Sequence, residues 1–334
     1  MDLTTHYMGL PLRSPLIASA SAINGDLDVL RSLEDHGAGA VVLPSIFEEQ
    51  IVAERSEYER LTEVPANGFA EAQTYFPTYG GYDFGPERYL QMVRSAQQAL
   101  DIPVIASLNC ITPEGWMDYA AALERAGADA LELNIYFIPA DPALSGREVE
   151  QRYLQILSSV KRLVRIPIAV KIGPYFSSIG AMARALAEAG AGALVLFNRF
   201  YQPDIDIRTL QLSMDIELST SKEMRLALLW IAILHGRLSA SLAASTGVET
   251  ADDVYKYLLA GADTVMTTSA LLRHGARYMR ALVDGLTALL EARGLDSLAD
   301  VRGRMSQRKL ADPTAVERAN YIHMLRDYPI RRPR

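Results

Sequence analysis

A short glycine-centred phrase recurs along the chain at the ends of segments with helical hydrophobic spacing. It reads HGAGA at 36–40, AGADA at 126–130, AGAGA at 189–193 and AGADT at 260–264. Each copy has a glycine where a helix needs a left-handed C-cap, and a short apolar run follows each phrase at once. The repeat therefore predicts a series of helix-to-strand units.

The apolar runs are typical of buried parallel strands. They read VVLPS, LELN, LVLF and VMTTS, without the polar alternation of a half-exposed strand. Two further runs, 103–109 and 167–172, each include the proline of an Ile-Pro pair that ends the preceding helix. Runs at 16–19 and 238–244 complete a set of eight predicted strands.

Amphipathic segments separate these strands, for example at 116–126, 149–163, 179–189 and 252–260. Alternating strands and helices without a break predict one parallel sheet in an α/β fold. Eight such units close into a (β/α)8 TIM barrel, so we expect a single domain over 1–334. A doubly wound open sheet is the alternative that this pattern leaves open.

Two predicted connections are longer than ordinary strand-to-helix loops, at 45–86 after the second strand and at 198–224 after the sixth. The first insertion is rich in aromatic residues, namely Phe69, Tyr75, Phe76, Tyr79, Tyr82 and Phe84. It is interpreted either as a lid over a flat ligand or as a small subdomain with its own apolar core. The residues from 295 to 334 form a predicted C-terminal extension, with a terminal helix at 313–326.

Composition narrows the class of protein. With 49% hydrophobic and 22% charged residues and a mean hydropathy of +0.05, the chain can bury a large core. A net charge of -7 gives no electrostatic footprint for nucleic acid, and no apolar run approaches a membrane span. Cys110 is the single cysteine, which excludes an intrachain disulfide and a multi-cysteine metal site. Because the first residues also lack the basic start of a signal peptide, we expect a cytoplasmic protein.

Polar residues cluster at the predicted carboxyl ends of the strands, where barrels of this type carry their chemistry. Asn109, Asn134 and Asn198 each end a strand. Buried amides need partners, and a pyrimidine-like ring or a flavin edge offers both donors and acceptors. The three asparagines therefore favour a site for such a ligand.

Lys171 lies within the apolar run AVKIGPY, where an ammonium group is costly unless an anion meets it. One interpretation places it beside the N1–C2=O edge of a reduced flavin. A second is an internal ion pair with Glu132, and a third is a Schiff-base amine in a flavin-free, aldolase-like barrel. The residues alone leave all three open.

Hydroxyl-rich segments follow the last two predicted strands, at 245–247 and 268–269. Barrels frequently bind phosphate at these two loops, although ordinary helix capping uses the same residues. No GxGxxG, GxxxxGK[ST], HExxH or GxSxG motif occurs, so nucleotide hydrolysis and metal hydrolysis are not indicated.

At these strand ends the chain resembles the dihydroorotate dehydrogenase family. The most specific matches are LELN at 131–134, VKIGPY at 170–175 and the TGVET…SALL stretch at 246–272. The resemblance implies an FMN-dependent oxidoreductase acting on CH–CH groups. Hydride would pass between flavin N5 and a small planar or carbonyl-conjugated substrate, which in the family is dihydroorotate of pyrimidine biosynthesis. A homodimer and a redox partner protein are left open.

The resemblance also assigns residues. Ala18, Ser19, Ser45, Asn109 and Lys171 would lie along the flavin ring, and Ser219, Thr220, Ser245, Thr246, Gly247, Thr268 and Ser269 would take its phosphate. Asn134 and Asn198 match the asparagines that bind the pyrimidine, and Arg199 is predicted to bind substrate beside them.

Some positions depart from the family pattern. Phe137 and Pro139 stand where the family has a Cys or Ser base and an Asn, and neither can act as a base. Pro44 replaces a lysine of one class, while Ala244 and Thr246 replace glycines of the phosphate loop. We therefore expect slow dihydroorotate oxidation, with Tyr136 or Tyr175 as the proton donor. The alternative is a flavin-binding barrel that has lost this reaction and serves another substrate or a partner protein.

Overall fold

The computed structural model describes residues 1–49, 86–110, 112–199, 203–213 and 217–317, together with 321–322 and 325–326. The predicted lid lies almost entirely outside these described residues, and so do its six aromatic side chains.

The strands alternate with helices along most of the described chain. They are β1 (Thr5–Tyr7), β2 (Leu10–Leu12), β3 (Leu16–Ala18), β4 (Ala40–Phe47), β5 (Val104–Asn109), β6 (Ala130–Asn134), β7 (Ile168–Ile172), β8 (Ala193–Leu196), β9 (Asp204–Asp206), β10 (Gln211–Ser213), β11 (Ser241–Ala244) and β12 (Thr264–Thr267). Eight of them form a closed parallel barrel in the order β11-β12-β3-β4-β5-β6-β7-β8. The predicted barrel is confirmed, and the open sheet is excluded.

Helices surround this barrel on the outside. They are α1 (Leu27–Asp35), α2 (Pro86–Ala99), α3 (Pro113–Arg125), α4 (Gly146–Leu163), α5 (Ile179–Glu188), α6 (Met224–Leu234), α7 (Ala251–Ala260), α8 (Ser269–His274) and α9 (Tyr278–Glu291). The first glycine of each copy of the phrase has positive φ, between 96° and 121°, as the C-cap prediction requires. Each one turns the chain from a helix into the next barrel strand.

The amino-terminal end of the barrel is closed by the antiparallel hairpin of β1 and β2. Tyr7 is fully buried there, in one apolar cluster with the small interior residues Ala130, Ala169 and Ala193. The backbone N–H of Met8 donates to the hydroxyl of Ser241, the first residue of β11. Because alanines leave room for the phenol ring, the hairpin fills the bottom of the barrel.

Strand β4 is longer than the sequence predicts. It continues through Pro44 to Phe47, and its register against β5 shifts between Val42 and Ser45. A proline cannot donate to a strand ladder, so it is tolerated where the pairing is interrupted. Beyond the shift, Ser45 pairs with Ser107 of β5.

Two segments outside the barrel differ from simple loops or helices. The connection after β8 contains the β9–β10 hairpin and, before α6, a short 3₁₀ turn at Ser221–Glu223. The helix predicted at 313–326 does not begin at 313, because a 3₁₀ turn at Pro313–Val316 is followed by the extended residue Glu317. The Gln307 amide donates to the Glu317 carboxylate at 2.8 Å and so holds this turn against the preceding segment. The described residues 321–322 and 325–326 are helical. None of the helices in the described chain has the length and apolar character needed to cross a lipid bilayer.

Candidate active site

A cavity of about 580 Å³ opens at the carboxyl ends of the barrel strands, opposite the hairpin that closes the other end. Each of the eight barrel strands contributes a residue at its end or just beyond it. Small-molecule and cofactor sites commonly occupy about 300–1,000 Å³. The cavity therefore has the size and position of an active site in this fold.

Lys171 lies at the base of this cavity. Its side chain is almost entirely buried, and its Nζ lies 3.5 Å from Glu132 Oε1 and donates to Ser19 Oγ at 3.4 Å. Glu132 itself is 0% exposed. The predicted ion pair with Glu132 is therefore present, and Lys171 also lines the cavity, so the pair does not remove Lys171 from the site.

The asparagines at the strand ends form a hydrogen-bonded chain. The Asn198 amide donates to Asn134 Oδ1 at 2.5 Å, and the Asn134 amide donates to Ser45 Oγ at 3.2 Å. Ser45 Oγ lies 2.7 Å from Ser107 Oγ. Both sides of the Asn134 amide are thus fixed, so the cavity wall has one set arrangement of donors and acceptors.

Ser107 belongs to the polar group at the end of its predicted strand, but the sequence assigned it no role in the site. It lies two residues before Asn109 on β5, and side chains two apart on a strand point to the same face. That alternation was the available signal for its position on the interior face of the barrel.

A cluster of hydroxyl groups lies on the side of the cavity formed after β11 and β12. Ser219 Oγ lies 2.8 Å from Ser269 Oγ and accepts from the Gly247 N–H at 3.2 Å. Ser245 Oγ donates to the Phe197 carbonyl at 2.7 Å. These residues were predicted to bind phosphate, and the fold brings them together.

Two consecutive residues of this cluster have left-handed backbone. Thr246 has φ +80 and Gly247 has φ +76. A β-branched residue rarely adopts such a conformation. The hydroxyl of Tyr257 lies 2.8 Å from the Thr246 carbonyl and 3.2 Å from the Ser245 carbonyl, which holds the loop in place. Burial, together with the charge of Asp253, raises the pKa of Tyr257, so this hydroxyl stays a donor.

Several predicted residues lie behind or beside the cavity wall rather than in it. Ala18 is 0% exposed and packs in the layer between barrel and helices. Ser45 is behind Asn134, Thr220 caps the Ser221–Glu223 turn, and Tyr175 is 67% exposed. Any contact that these four make with a ligand would be indirect or would need a rearrangement.

The loop after β6 presents Tyr136, but not Phe137, to the cavity. The guanidinium of Arg152 on α4 lies 4.3 Å from the centre of the Phe137 ring, within the range of a cation–π contact. The Phe137 side chain is therefore held toward α4.

Two arginines anchor the segment that carries Ser219. Arg273 donates to the carbonyls of Ser219 at 2.9 Å and Leu218 at 3.1 Å, and it forms an ion pair with Glu249. Arg199 lines the cavity and donates to the Glu223 carboxylate at 3.0 Å. Arg273 was not predicted, because a lone arginine on a short helix carries no distinguishing pattern.

Asp253 connects the start of α7 to the same region. Its carboxylate accepts from Ser221 Oγ at 2.6 Å and from the Thr250 hydroxyl at 3.0 Å, and it pairs with Lys256 at 3.1 Å. Burial alone would raise the pKa of Asp253, but the hydrogen bonds from Ser221, Lys256 and Thr250 outweigh it and lower that pKa. The group is therefore held as a carboxylate at neutral pH.

Comparison with known proteins agrees with this geometry. The profile of the family described as dihydroorotate dehydrogenase matches residues 2–290. The chain belongs to the dihydroorotate dehydrogenase family. Members of this family are oxidoreductases that act on CH–CH groups, and the chain is an oxidoreductase of this kind.

Individual relatives in the family cover nearly the whole length. A putative dihydroorotate dehydrogenase A (fumarate) of Aeropyrum pernix is 27% identical over 317 residues, which span 90% of this chain and 97% of the relative. The catalytic subunit of a dihydroorotate dehydrogenase B (NAD(+)) of Pyrococcus abyssi is 27% identical over 90% of this chain and 98% of its own. The corresponding subunit of Methanothermobacter thermautotrophicus is 26% identical over 90% and 97%.

Proposed function

We propose that the chain is an FMN-dependent oxidoreductase that moves hydride between flavin N5 and a small planar or carbonyl-conjugated substrate. The observation that carries this proposal is the ammonium of Lys171, buried at the base of a cavity that is also lined by amides, hydroxyls and Arg199. A fixed cation at this depth suits a ligand that becomes negatively charged during the reaction.

The residues present fit FMN. Ser21 borders the cavity, and its hydroxyl oxygen is buried without a hydrogen-bond partner among the described residues, so it is available to a ligand. The hydroxyls of Ser219 and Ser269 can rotate to donate to a phosphate, and the Gly247 N–H points into the same cluster. When bound, FMN supplies hydride chemistry at N5 and places the N1–C2=O edge where negative charge develops.

The protein's own groups would have separate roles. Lys171 would stabilise the negative charge at the flavin edge, and Asn134 and Asn198 would orient the substrate through their fixed amides. Tyr257 and Arg273 would keep the phosphate-binding segments in place through the backbone carbonyls that they bind.

The side chains of the loop after β6 bear on which substrate the protein can oxidise rapidly. Phe137 offers no proton-accepting group, whereas the phenol of Tyr136 lies in the cavity wall. General base catalysis contributes roughly 10²- to 10⁴-fold, so dihydroorotate should be oxidised slowly unless Tyr136 takes over this role. Fumarate and NAD⁺, the acceptors in the names of the relatives, are the first electron acceptors to test.

The absorption spectrum of freshly purified protein is the first test, since bound FMN is yellow. The Lys171→Ala variant should retain less FMN or have a lower flavin reduction potential. Lys161→Ala on the outer surface of α4 is the matched control and should behave as the wild type. Protein that neither contains nor takes up FMN would overturn the proposal.

Turnover assays then test the substrate assignment. The oxidised holoprotein should be reduced by its substrate and then reoxidised by one of the acceptors, and Tyr136→Phe should lower kcat if Tyr136 moves the proton. Rapid dihydroorotate turnover that Tyr136→Phe leaves unchanged would contradict the role of Tyr136.

A further inference from the structure

A buried carboxylate lies directly beneath the cavity. Glu132 is on β6, two residues before Asn134, and faces the barrel interior in the same register as Ala130 below it. Lys171 on the neighbouring strand reaches between the Glu132 carboxylate and the cavity, with its Nζ 3.5 Å from Oε1. The ammonium therefore has an anion below it, and a ligand-binding space above it.

The Glu132 carboxylate is incompletely satisfied. Neither of its oxygens has a hydrogen-bond partner within the described residues, and the contact with Lys171 is an ion pair without hydrogen-bond geometry. The hydroxyls of Tyr7 and Thr264 are likewise buried and without partners in the described chain. Buried carboxylates normally accept several hydrogen bonds, so a charged Glu132 depends strongly on the one ammonium.

Few other ionisable groups lie near enough to share this charge. Burial raises the pKa of Tyr7, and the Glu132 charge and then that of Asp263 raise it further. Burial also raises the pKa of Tyr89 on α2, and the Glu132 charge adds to this. Both phenols therefore stay neutral at ordinary pH, and Lys171 on β7 supplies the positive charge that faces Glu132.

We propose that Glu132 takes up a proton from solvent when the bound flavin is reduced. This inference rests on the proposed function, because it needs FMN above Lys171. Reduction adds negative charge on the cavity side of the ammonium, so two anions then compete for one cation in a water-poor interior. Protonation of Glu132 removes one of these anions and leaves Lys171 paired with the flavin.

Electrons and protons balance over the reduction and the reoxidation of the flavin. A hydride from the substrate gives the flavin two electrons and one proton. A second proton, from water, forms the O–H bond of the Glu132 carboxyl group. Reoxidation by the acceptor removes the two electrons together with the proton that came with the hydride, and Glu132 returns its own proton to solvent as it pairs with Lys171 again.

The midpoint potential of the FMN-loaded protein between pH 6.5 and 9 tests this. For a two-electron couple, a tenfold change in equilibrium constant is about 30 mV, so each proton taken up lowers the potential by about 30 mV per pH unit. We expect a slope of two protons in the wild type and of one proton in Glu132→Gln. Glu188→Gln, an exposed carboxylate on α5, is the matched control and should keep the wild-type slope.

Infrared spectroscopy gives an independent readout. The reduced-minus-oxidised difference spectrum of the wild type should contain the C=O band of a protonated carboxyl group, which shifts on ¹³C-glutamate labelling and is missing in Glu132→Gln. The visible spectrum must show that the reduced flavin stays anionic across the pH range, because protonation of the flavin itself would also give the steeper slope.

The outcomes separate the two proposals. Protein that binds no FMN ends the proposed function and this inference together. FMN-loaded wild-type protein with a one-proton slope, or Glu132→Gln protein with the two-proton slope, overturns the role of Glu132 alone. If Glu132→Gln fails to fold, the wild-type slope and the labelled infrared band still decide.

Discussion

Lys171 and Glu132 show how a single pair of residues can belong both to the core and to a functional site. Both side chains are nearly or fully buried, yet Lys171 also lines the cavity. A buried ion pair is poor evidence for stability, because desolvation offsets its attraction. Its placement beneath a ligand-binding cavity is better explained by function, since the core cluster that fills the lower part of the barrel interior is apolar.

The pair predicts a non-additive effect on stability. Lys171→Met leaves the Glu132 carboxylate buried without its cation and should destabilise the apo protein by about 3–5 kcal/mol. The double variant Lys171→Met/Glu132→Gln should recover part of this loss, because no buried charge remains. Urea unfolding of the flavin-free proteins measures both values, and strict additivity would contradict the coupling.

An exposed ion pair on α5 provides the control for this comparison of single and double variants. Arg184 and Glu188 lie one helical turn apart on α5 with both side chains mostly exposed. Removing either partner should change the free energy of unfolding by less than about 1 kcal/mol.

Gly247 predicts a different effect at the residue scale. Its φ is +76, and an added Cβ would lie 2.8 Å from the Thr220 carbonyl and 2.9 Å from the Met224 nitrogen, both backbone atoms. Gly247→Ala should therefore displace the segment carrying Ser219 and lower FMN affinity at least tenfold, as measured by fluorescence titration.

Gly294→Ala separates the cost of a positive φ for alanine from the steric clash expected in Gly247→Ala. Gly294 also has positive φ, at +63, but nothing lies within 4 Å of an added Cβ. It should lose about 1 kcal/mol of stability and keep the wild-type affinity for FMN. Equal effects of the two substitutions on FMN binding would contradict the steric argument.

At the scale of elements, the eight barrel strands and the glycine caps could be predicted from sequence because their signals are local. A buried strand reads as an unbroken apolar run, and a helix end reads as a glycine at a fixed position. The hairpins β1–β2 and β9–β10 were missed, since strands of three residues are too short to show a period. The last two residues of β4, Ile46 and Phe47, were missed as well, because their pairing with Leu108 and Asn109 of β5 is not visible in the local sequence.

In the candidate site, too, some features follow from local sequence patterns and others depend on contacts between distant residues. The sequence brings Lys171 and the three asparagines to one end of the barrel, because parallel strands share their carboxyl edge. The contacts that fix these groups join residues far apart in the chain, for example Asn134 with Ser45 and Lys171 with Ser19. No local pattern encodes such pairs, so the hydrogen-bonded chain and the anchoring roles of Tyr257 and Arg273 needed the structure.

The hydrogen bonds of Asp253 should make a pH-dependent contribution to the stability of the junction between α7 and the Ser221–Glu223 turn. At pH 7, Asp253→Asn should cost about 1.5–3 kcal/mol, the range for hydrogen bonds to a charged group. The pKa of Asp253 is lowered in the folded state, so the wild-type advantage is complete above the unfolded value of about 3.9 and is lost as pH falls through the folded value.

Urea unfolding at a series of pH values checks this. The difference between wild type and Asp253→Asn should stay constant from pH 7 to 5 and shrink below about pH 4. A difference that grows toward acid pH would contradict the assigned hydrogen bonds.

At the scale of the whole molecule, ligand binding at one end of the barrel should stabilise the entire fold. A ligand that binds the native state at 100 times its Kd adds about 2.7 kcal/mol. FMN should raise the Tm more than riboflavin at equal concentration, because riboflavin lacks the phosphate that the Ser219 and Ser269 cluster would bind. Thermal unfolding measures this.

The double variant Ser219→Ala/Ser269→Ala is the control for the phosphate contribution. It should narrow the difference in Tm between FMN and riboflavin while leaving the effect of riboflavin itself little changed. Equal stabilisation of the wild type by the two compounds would place the phosphate elsewhere.

The hairpin that carries Tyr7 closes the amino-terminal end of the barrel, so in the part of the chain that the structure describes the cavity opens at the carboxyl ends of the strands. The substrate that donates electrons and the acceptor that receives them would then have to use this opening in turn, each leaving before the next one binds. Steady-state rates should then give parallel double-reciprocal lines, the pattern of a ping-pong sequence. Each of the two compounds should also inhibit the reaction of the other with the enzyme at high concentration, because both compete for the same opening.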